Sequence, residues 1–260
     1  MTNTTVSLGQ KFELRSFSVN FDIKDSLAAE NLLDSLDRAT PIFKQVFDTE
    51  IEPQGCFYLV NDSTQIQSIL GIAPKLNEIS CFNPVTNAIC ILINKIDSNS
   101  CGELGVKELG HLFFNKAVNE REIRFKQWRT PSWLREGFAL QASYRIRQDQ
   151  INWLQTGWEK LQAAQKNGQL LKPNMLVKEL STISDAQKRE LGYYQSYYMV
   201  KLLLSIYCDK FFSKYSTLMK ALEDMEAENC FRQITSFSYE KFFSMFEDWV
   251  KKVNAWTAME

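Results

Sequence analysis

Between Ser16 and Asp22 the apolar residues Phe17, Val19 and Phe21 alternate with polar neighbours, and Ile23 continues the series, which is the period-two pattern of a half-buried strand. From Asp25 to Asp48, Leu32, Leu33, Leu36, Ala39, Phe43 and Phe47 recur at helical steps, and Pro41 is expected to kink or split that helix. Cys56 to Val60 and Ala88 to Ile93 are short apolar runs rich in aromatic or β-branched residues and read as strands. Between them, Asp62 to Leu70 opens with capping residues and sets Ile66, Ile69 and Leu70 on one side, as a short helix does. The segment Phe82-Asn83-Pro84-Val85-Thr86-Asn87 has turn chemistry and joins a strand near Ile79 to Phe82 with the one at Ala88 to Ile93. Strands and helices mixed in this way predict an α+β first part.

After Asn99 the pattern becomes helical. Segments near Gly102 to Ala117, Ser132 to Arg147, Gln150 to Asn167, Ser184 to Tyr207, Phe211 to Ala227 and Ser238 to Val253 carry apolar residues three and four positions apart. Tyr197, Val200, Leu203, Leu204 and Tyr207 form one such stripe, and Phe242, Phe243, Phe246, Trp249, Val250 and Val253 another; both read as core-facing. Only 10 Gly and 6 Pro interrupt the 260 residues, which favours long helices over many turns. That length suits one domain of two lobes: residues 1–100 as an α+β lobe, 101–147 as a pair of central helices, and 148–260 as a helical lobe.

Charge and composition then exclude several functions. A net charge of -1 gives no basic field for nucleic acid or an anionic membrane surface. The start, Met1 to Gln10, lacks a basic and apolar leader, and no apolar run approaches about 18 residues, so the expectation is a soluble, cytoplasmic protein. The 6 cysteines form no C-x-x-C pair and sit mostly in apolar patterns, as reduced structural thiols do. The chain has 1 histidine, His111, so a site needing two imidazoles from one chain is impossible.

That histidine closes the block Lys107-Glu108-Leu109-Gly110-His111, and further along comes Pro131-Ser132-Trp133-Leu134-Arg135-Glu136-Gly137-Phe138-Ala139. With His at position 107 the first block would be H-E-x-x-H, whose imidazoles one helical turn apart grip zinc while the glutamate serves as general base. The second block resembles the P-x-W-L-x-E-G-x-A motif of gluzincin metallopeptidases in the peptidase MA-like group. By that resemblance Glu136 stands at the carboxylate ligand position, Glu108 at the general base and His111 at the remaining imidazole. Leu191 to Tyr197 resembles the family's downstream tyrosine helix, making Tyr193 the candidate to stabilise a tetrahedral intermediate, with Tyr194 close behind. The resemblance implies a thermolysin-like two-lobed fold with a small mixed sheet in its N-terminal lobe. Gly137 is expected to let its helix approach the His111 helix closely.

Lysine at position 107 changes the chemistry. An ammonium has no lone pair, and a lysine starts from a pKa of about 10.4, a value that Glu108 and Glu136 would hold high rather than depress. A charged Lys107 facing Glu136 would occupy the metal's place, one cation replacing another. The leading expectation is therefore a pseudo-peptidase that binds a peptide or protein partner in a cleft between the lobes, with no resident cofactor and zinc only where the site functions. One alternative is a metal-dependent hydrolase that keeps zinc through His111, Glu136 and a substitute ligand such as Glu108. Another is metal-free acid-base chemistry by Lys107, Glu108 and His111. The basic segment from Arg121 to Arg129, around Trp128, reads as a solvated connector bordering the cleft.

Overall fold

Strand-forming sequence in the first third of the chain pairs into one five-stranded sheet. The computed structural model describes residues 9–14, 16–47, 53–71, 79–83, 85–118, 130–146, 151–208, 210–221 and 226–254. Its strands are β1 (Gln10–Leu14), β2 (Phe17–Phe21), β3 (Gly55–Val60), β4 (Ser80–Asn83) and β5 (Ala88–Leu92). They lie in the order β1-β2-β3-β5-β4, with β2, β3 and β5 parallel and the two outer strands antiparallel to their neighbours. The fold class is α+β. Strand β1 has no signal of its own, because Gln10, Lys11 and Glu13 are polar and exposed; pairing with β2 draws it into the sheet.

Three helices accompany this sheet: α1 (Ser26–Val46), α2 (Ser63–Leu70) and α3 (Ser98–Val118). Strand register sets Val19, Phe57 and Ile89 side by side on one face. On this face lies α3, where a Cβ added at Gly55 would come 2.7 Å from Leu112 Cδ1. Helix α1 packs against α3 closely enough that a Cβ at Gly105 would lie 2.0 Å from Leu32 Cδ1, and the Phe43 and Phe113 rings are 5.5 Å apart. The opposite face presents Tyr58, Val60, Cys81, Cys90 and Leu92 to Ile66, Ile69 and Leu70 of α2. Parity along each strand thus sorts the sheet's side chains between two layers of helix.

Helix α1 runs unbroken through Pro41, contrary to the expected kink or split. The backbone bond that Pro41 cannot donate falls at exposed Asp37, where water can replace it, while Ala39, Thr40 and Phe43 remain buried. The Thr40 hydroxyl also donates to the Leu36 carbonyl at 2.7 Å.

The chain divides into two compact units, one ending at Lys116 and the next beginning at Ala117. Beyond the first unit all described elements are helical: α4 (Ser132–Ile146), α5 (Ile151–Lys166), α6 (Pro173–Leu176), α7 (Ala186–Tyr207), α8 (Lys210–Ala221), α9 (Ala227–Thr235) and α10 (Tyr239–Lys252). The expected single helix from Phe211 to Ala227 is two elements, since α8 ends at Ala221 and Ala227 opens α9. Helix α7 is buried on every side from Tyr194 to Val200, so it is the unit's central helix rather than an amphipathic one with a single stripe.

All 6 cysteines are free thiols, and burial pushes Cys90 and Cys101 up to about 12, which keeps both protonated and unreactive. Among the described residues no helix is long and apolar enough to cross a membrane.

Candidate functional site

Glu108, His111 and Asn115 lie three and four positions apart on α3, so they share one face of the helix, and all three are buried. Buried polar side chains require partners, and the β4–β5 hairpin supplies two of them. Pairing of Ser80 with Ile91 turns Ser80 toward the face that carries α1 and α3. From there its hydroxyl donates to Glu108 Oε1 at 2.7 Å. At the other end of the hairpin, Asn115 Nδ2 donates to Asn87 Oδ1 at 3.3 Å. Asn87 adopts a left-handed conformation with φ of 53°, which asparagine tolerates better than most residues, and its carbonyl accepts from Cys56 N at 3.1 Å. Lys107, adjacent to Glu108, is half-buried.

The second motif forms the start of α4, in the second unit. Ser132 N donates to the Val177 carbonyl at 3.1 Å and the Ser132 hydroxyl accepts from Leu180 N at 3.3 Å, which anchors the helix entry. Trp133 and Leu134 are fully buried, and Arg135 and Glu136 are 3% and 7% exposed. Such burial of charges calls for a close counter-charge. Arg135 pairs with Glu179, and its Nη2 also lies 3.9 Å from Glu136 Oε1. Arg135 is thus a cation beside Glu136, shared between two carboxylates.

Gly137 lets another helix of the same unit approach α4 closely. An added Cβ would lie 2.4 Å from the Ser196 carbonyl oxygen and 2.4 Å from Val200 Cγ2, both on α7. The space left by the missing side chain is used by α7. Gln141 Nε2, one turn further along α4, donates to the Tyr197 carbonyl at 3.2 Å and locks the same helix pair.

On α7 the two candidate tyrosines differ. The Tyr194 ring packs against Gly157 of α5, 4.4 Å from Trp153, and its hydroxyl donates to Glu190 Oε1 at 3.2 Å. Burial, aided by the Glu190 carboxylate, pushes it up to about 12, so it remains protonated. Tyr193 is half-buried and projects about 100° away around the helix.

Helix α7 is started by Asp185, whose carboxylate accepts from Gln187 N at 2.9 Å and Lys188 N at 3.0 Å. These bonds, the one from Lys188 first, hold its pKa below the usual carboxylate value. A depressed folded pKa contributes stability above the unfolded value that is lost as pH falls through the folded one. Below about pH 4 the wild type should therefore lose more stability than Asp185→Asn, which caps without titrating. Parallel acid denaturation curves for the two proteins would refute the assignment.

Lys107, Glu108 and His111 thus share α3 in the first unit, while Glu136 on α4 and Tyr193 on α7 belong to the second. No family model matches the sequence, and no curated protein matches it significantly. Among the described residues no three His, Cys, Asp or Glu side chains gather into a group able to hold a metal ion.

Sequence reasoning passes over Ser80, Asn87, Asn115, Arg135 and Glu179. Asn115 carries a signal, since it falls on the helical face of Glu108 and His111. Ser80 and Glu179 carry none, because strand register and a long-range ion pair bring them into place. The basic segment from Arg121 to Arg129 lies outside the described residues.

Proposed function

We propose that this chain is a gluzincin-like protein, built on a thermolysin-like two-lobed plan, that has exchanged metal hydrolysis for binding a peptide or protein partner. The observation that carries the reading is the placement of Lys107-Glu108-x-x-His111 on one helix, with Glu108 and His111 buried and a lysine where a metal ligand would stand. Supporting it is the second motif, which begins a helix and buries Glu136 beside Gly137.

Zinc chemistry does not fit this donor set, so no step of the function passes through a metal. In place of it, an ammonium at Lys107 supplies fixed positive charge near Glu108, suited to the carboxylate or carbonyl groups of an extended peptide. Tyr193 is the further candidate to touch that partner, as a half-buried phenol with both a ring and a hydroxyl to offer.

The experiment is zinc binding by wild type and Lys107→His, both purified without a histidine tag. Wild type should carry far less than one zinc per chain by elemental mass spectrometry. Lys107→His should acquire zinc affinity measurable by calorimetry, because it restores the second imidazole one turn before His111. Near-stoichiometric zinc in wild type, or a folded Lys107→His that takes up none, would defeat the reading.

A further inference from the structure

Glu108 is 4% exposed, yet the group that holds its carboxylate comes from a different element. We propose that Ser80 is a positioning residue that fixes Glu108 Oε1 against β4 and so sets the direction in which the carboxylate presents its second oxygen. For the place where a ligand would sit, the proposal rests on the gluzincin-like reading; for the Ser80–Glu108 link it rests on geometry alone.

The arrangement is set by the sheet rather than by the helix. Glutamate has three side-chain torsions, and on a helix several rotamers are open to it. Burial removes most of these, and a hydroxyl donor at 2.7 Å selects among the remainder. That donor is itself fixed, because β4 and β5 pair with Ser80 opposite Ile91 and Leu92 N donates to the Ile79 carbonyl at 2.7 Å. A register slip of one residue would turn Ser80 to the α2 face. The Asn115–Asn87 bond holds the same helix face two turns further on, so the hairpin grips α3 on both sides of His111.

The consequence concerns which role Glu108 can take. It is the sole carboxylate within one turn of His111 along α3, and so the side chain best able to replace the imidazole that Lys107 displaces. Ser80 takes up Oε1, and hydrogen bonds of this kind orient a carboxylate and tune its remaining oxygen. The bond therefore decides from which direction Glu108 offers its second oxygen, as base, acceptor or ligand.

The test uses Co²⁺ as the probe, since its visible absorption reports coordination. In the Lys107→His background, Ser80→Ala should change the Co²⁺ spectrum and shift its dissociation constant by about tenfold or more, and Ser80→Thr, which keeps the hydroxyl, should restore both. An unchanged spectrum and affinity in the folded Lys107→His/Ser80→Ala protein overturns the proposal and leaves the gluzincin-like reading standing. A folded Lys107→His protein that binds no Co²⁺ overturns the reading together with the ligand part of this proposal. The native chain offers a second, metal-free readout, because His111 is its 1 histidine and gives one set of imidazole NMR signals. At a fixed pH, Ser80→Ala should shift those signals and Ser80→Thr should return them; signals that do not move overturn the positioning contact by itself.

Discussion

Trp133→Ala should lower the unfolding free energy by about 4 kcal/mol, the largest loss expected from any single change in the second motif. Trp133 is fully buried, and its ring is surrounded by Phe231, Tyr239, Phe242 and Phe243 at centroid distances of 5.9, 5.9, 5.7 and 6.1 Å. Those neighbours come from α9 and α10, so one side chain ties the start of α4 to two distant helices. Truncation removes the transfer free energy of an indole and leaves a cavity that four rigid rings cannot collapse to fill. Domains of ordinary stability hold roughly 5 to 15 kcal/mol in reserve, so the variant should unfold at a much lower denaturant concentration. Trp133→Phe should recover most of the loss by keeping the stacked contact with Phe242. A Trp133→Ala midpoint within error of wild type would mean that the helices do not converge on this ring.

Gly137→Ala should destabilise the helical unit by about 2 kcal/mol, although alanine is the better helix former by about 1 kcal/mol. The sign is decided by what the methyl group meets. Val200 Cγ2 belongs to a side chain that has some freedom to turn, but the Ser196 carbonyl oxygen, also at 2.4 Å, is backbone of the central helix and moves only when α7 shifts. Adding Val200→Ala to Gly137→Ala should therefore relieve only part of the strain. Guanidinium unfolding of the two single variants and the double measures this directly. A Gly137→Ala protein as stable as wild type would mean that α4 and α7 stand further apart than the structure has them.

Gly137 lies next to Glu136. Its neighbours assign it to the packing of α4 on α7, the helix of Tyr193, and the Gln141 bond to the Tyr197 carbonyl reinforces that pairing. Glu136 and Tyr193 are thus carried on two helices that are held rigidly together within their own unit.

Arg135 lies 3.9 Å from Glu136 and pairs with Glu179, so Glu136 has a compensating cation within its own unit. Lys107 stands one helical turn before His111 and is half-buried. Lys107→His with zinc, rather than the stability of a lysine truncation, is therefore the more discriminating experiment.

Much of the fold could be read along the chain because it depends on local periodicity. Alternation at Phe17, Val19 and Phe21 gave the strand, and the capping residues from Asp62 gave α2, which the structure starts with a reciprocal Asp62–Gln65 box. The turn from Asn83 to Asn87 was readable from its own chemistry, with Asn83 Oδ1 accepting from Val85 N at 2.9 Å. Spacing alone put Glu108 and His111 on one helix face, and the tryptophan and glutamate of the second motif on another helix.

Other features depend on which segments meet, and sequence spacing does not encode that. Strand β1 exists through its pairing with β2, the core-wide burial of α7 through helices packed around it, and the continuity of α1 through the exposure of Asp37. The partners of the candidate residues belong to the same class: Ser80 for Glu108, Asn87 for Asn115, and Glu179 for Arg135 lie 28, 28 and 44 positions away. Local propensity and periodicity are properties of neighbouring residues, so the sequence alone determined most of the elements and which polar side chains share a helix face at Glu108 and His111. Hydrogen bonds and close packing between distant segments require three-dimensional register, so the tertiary structure decided how those side chains are held.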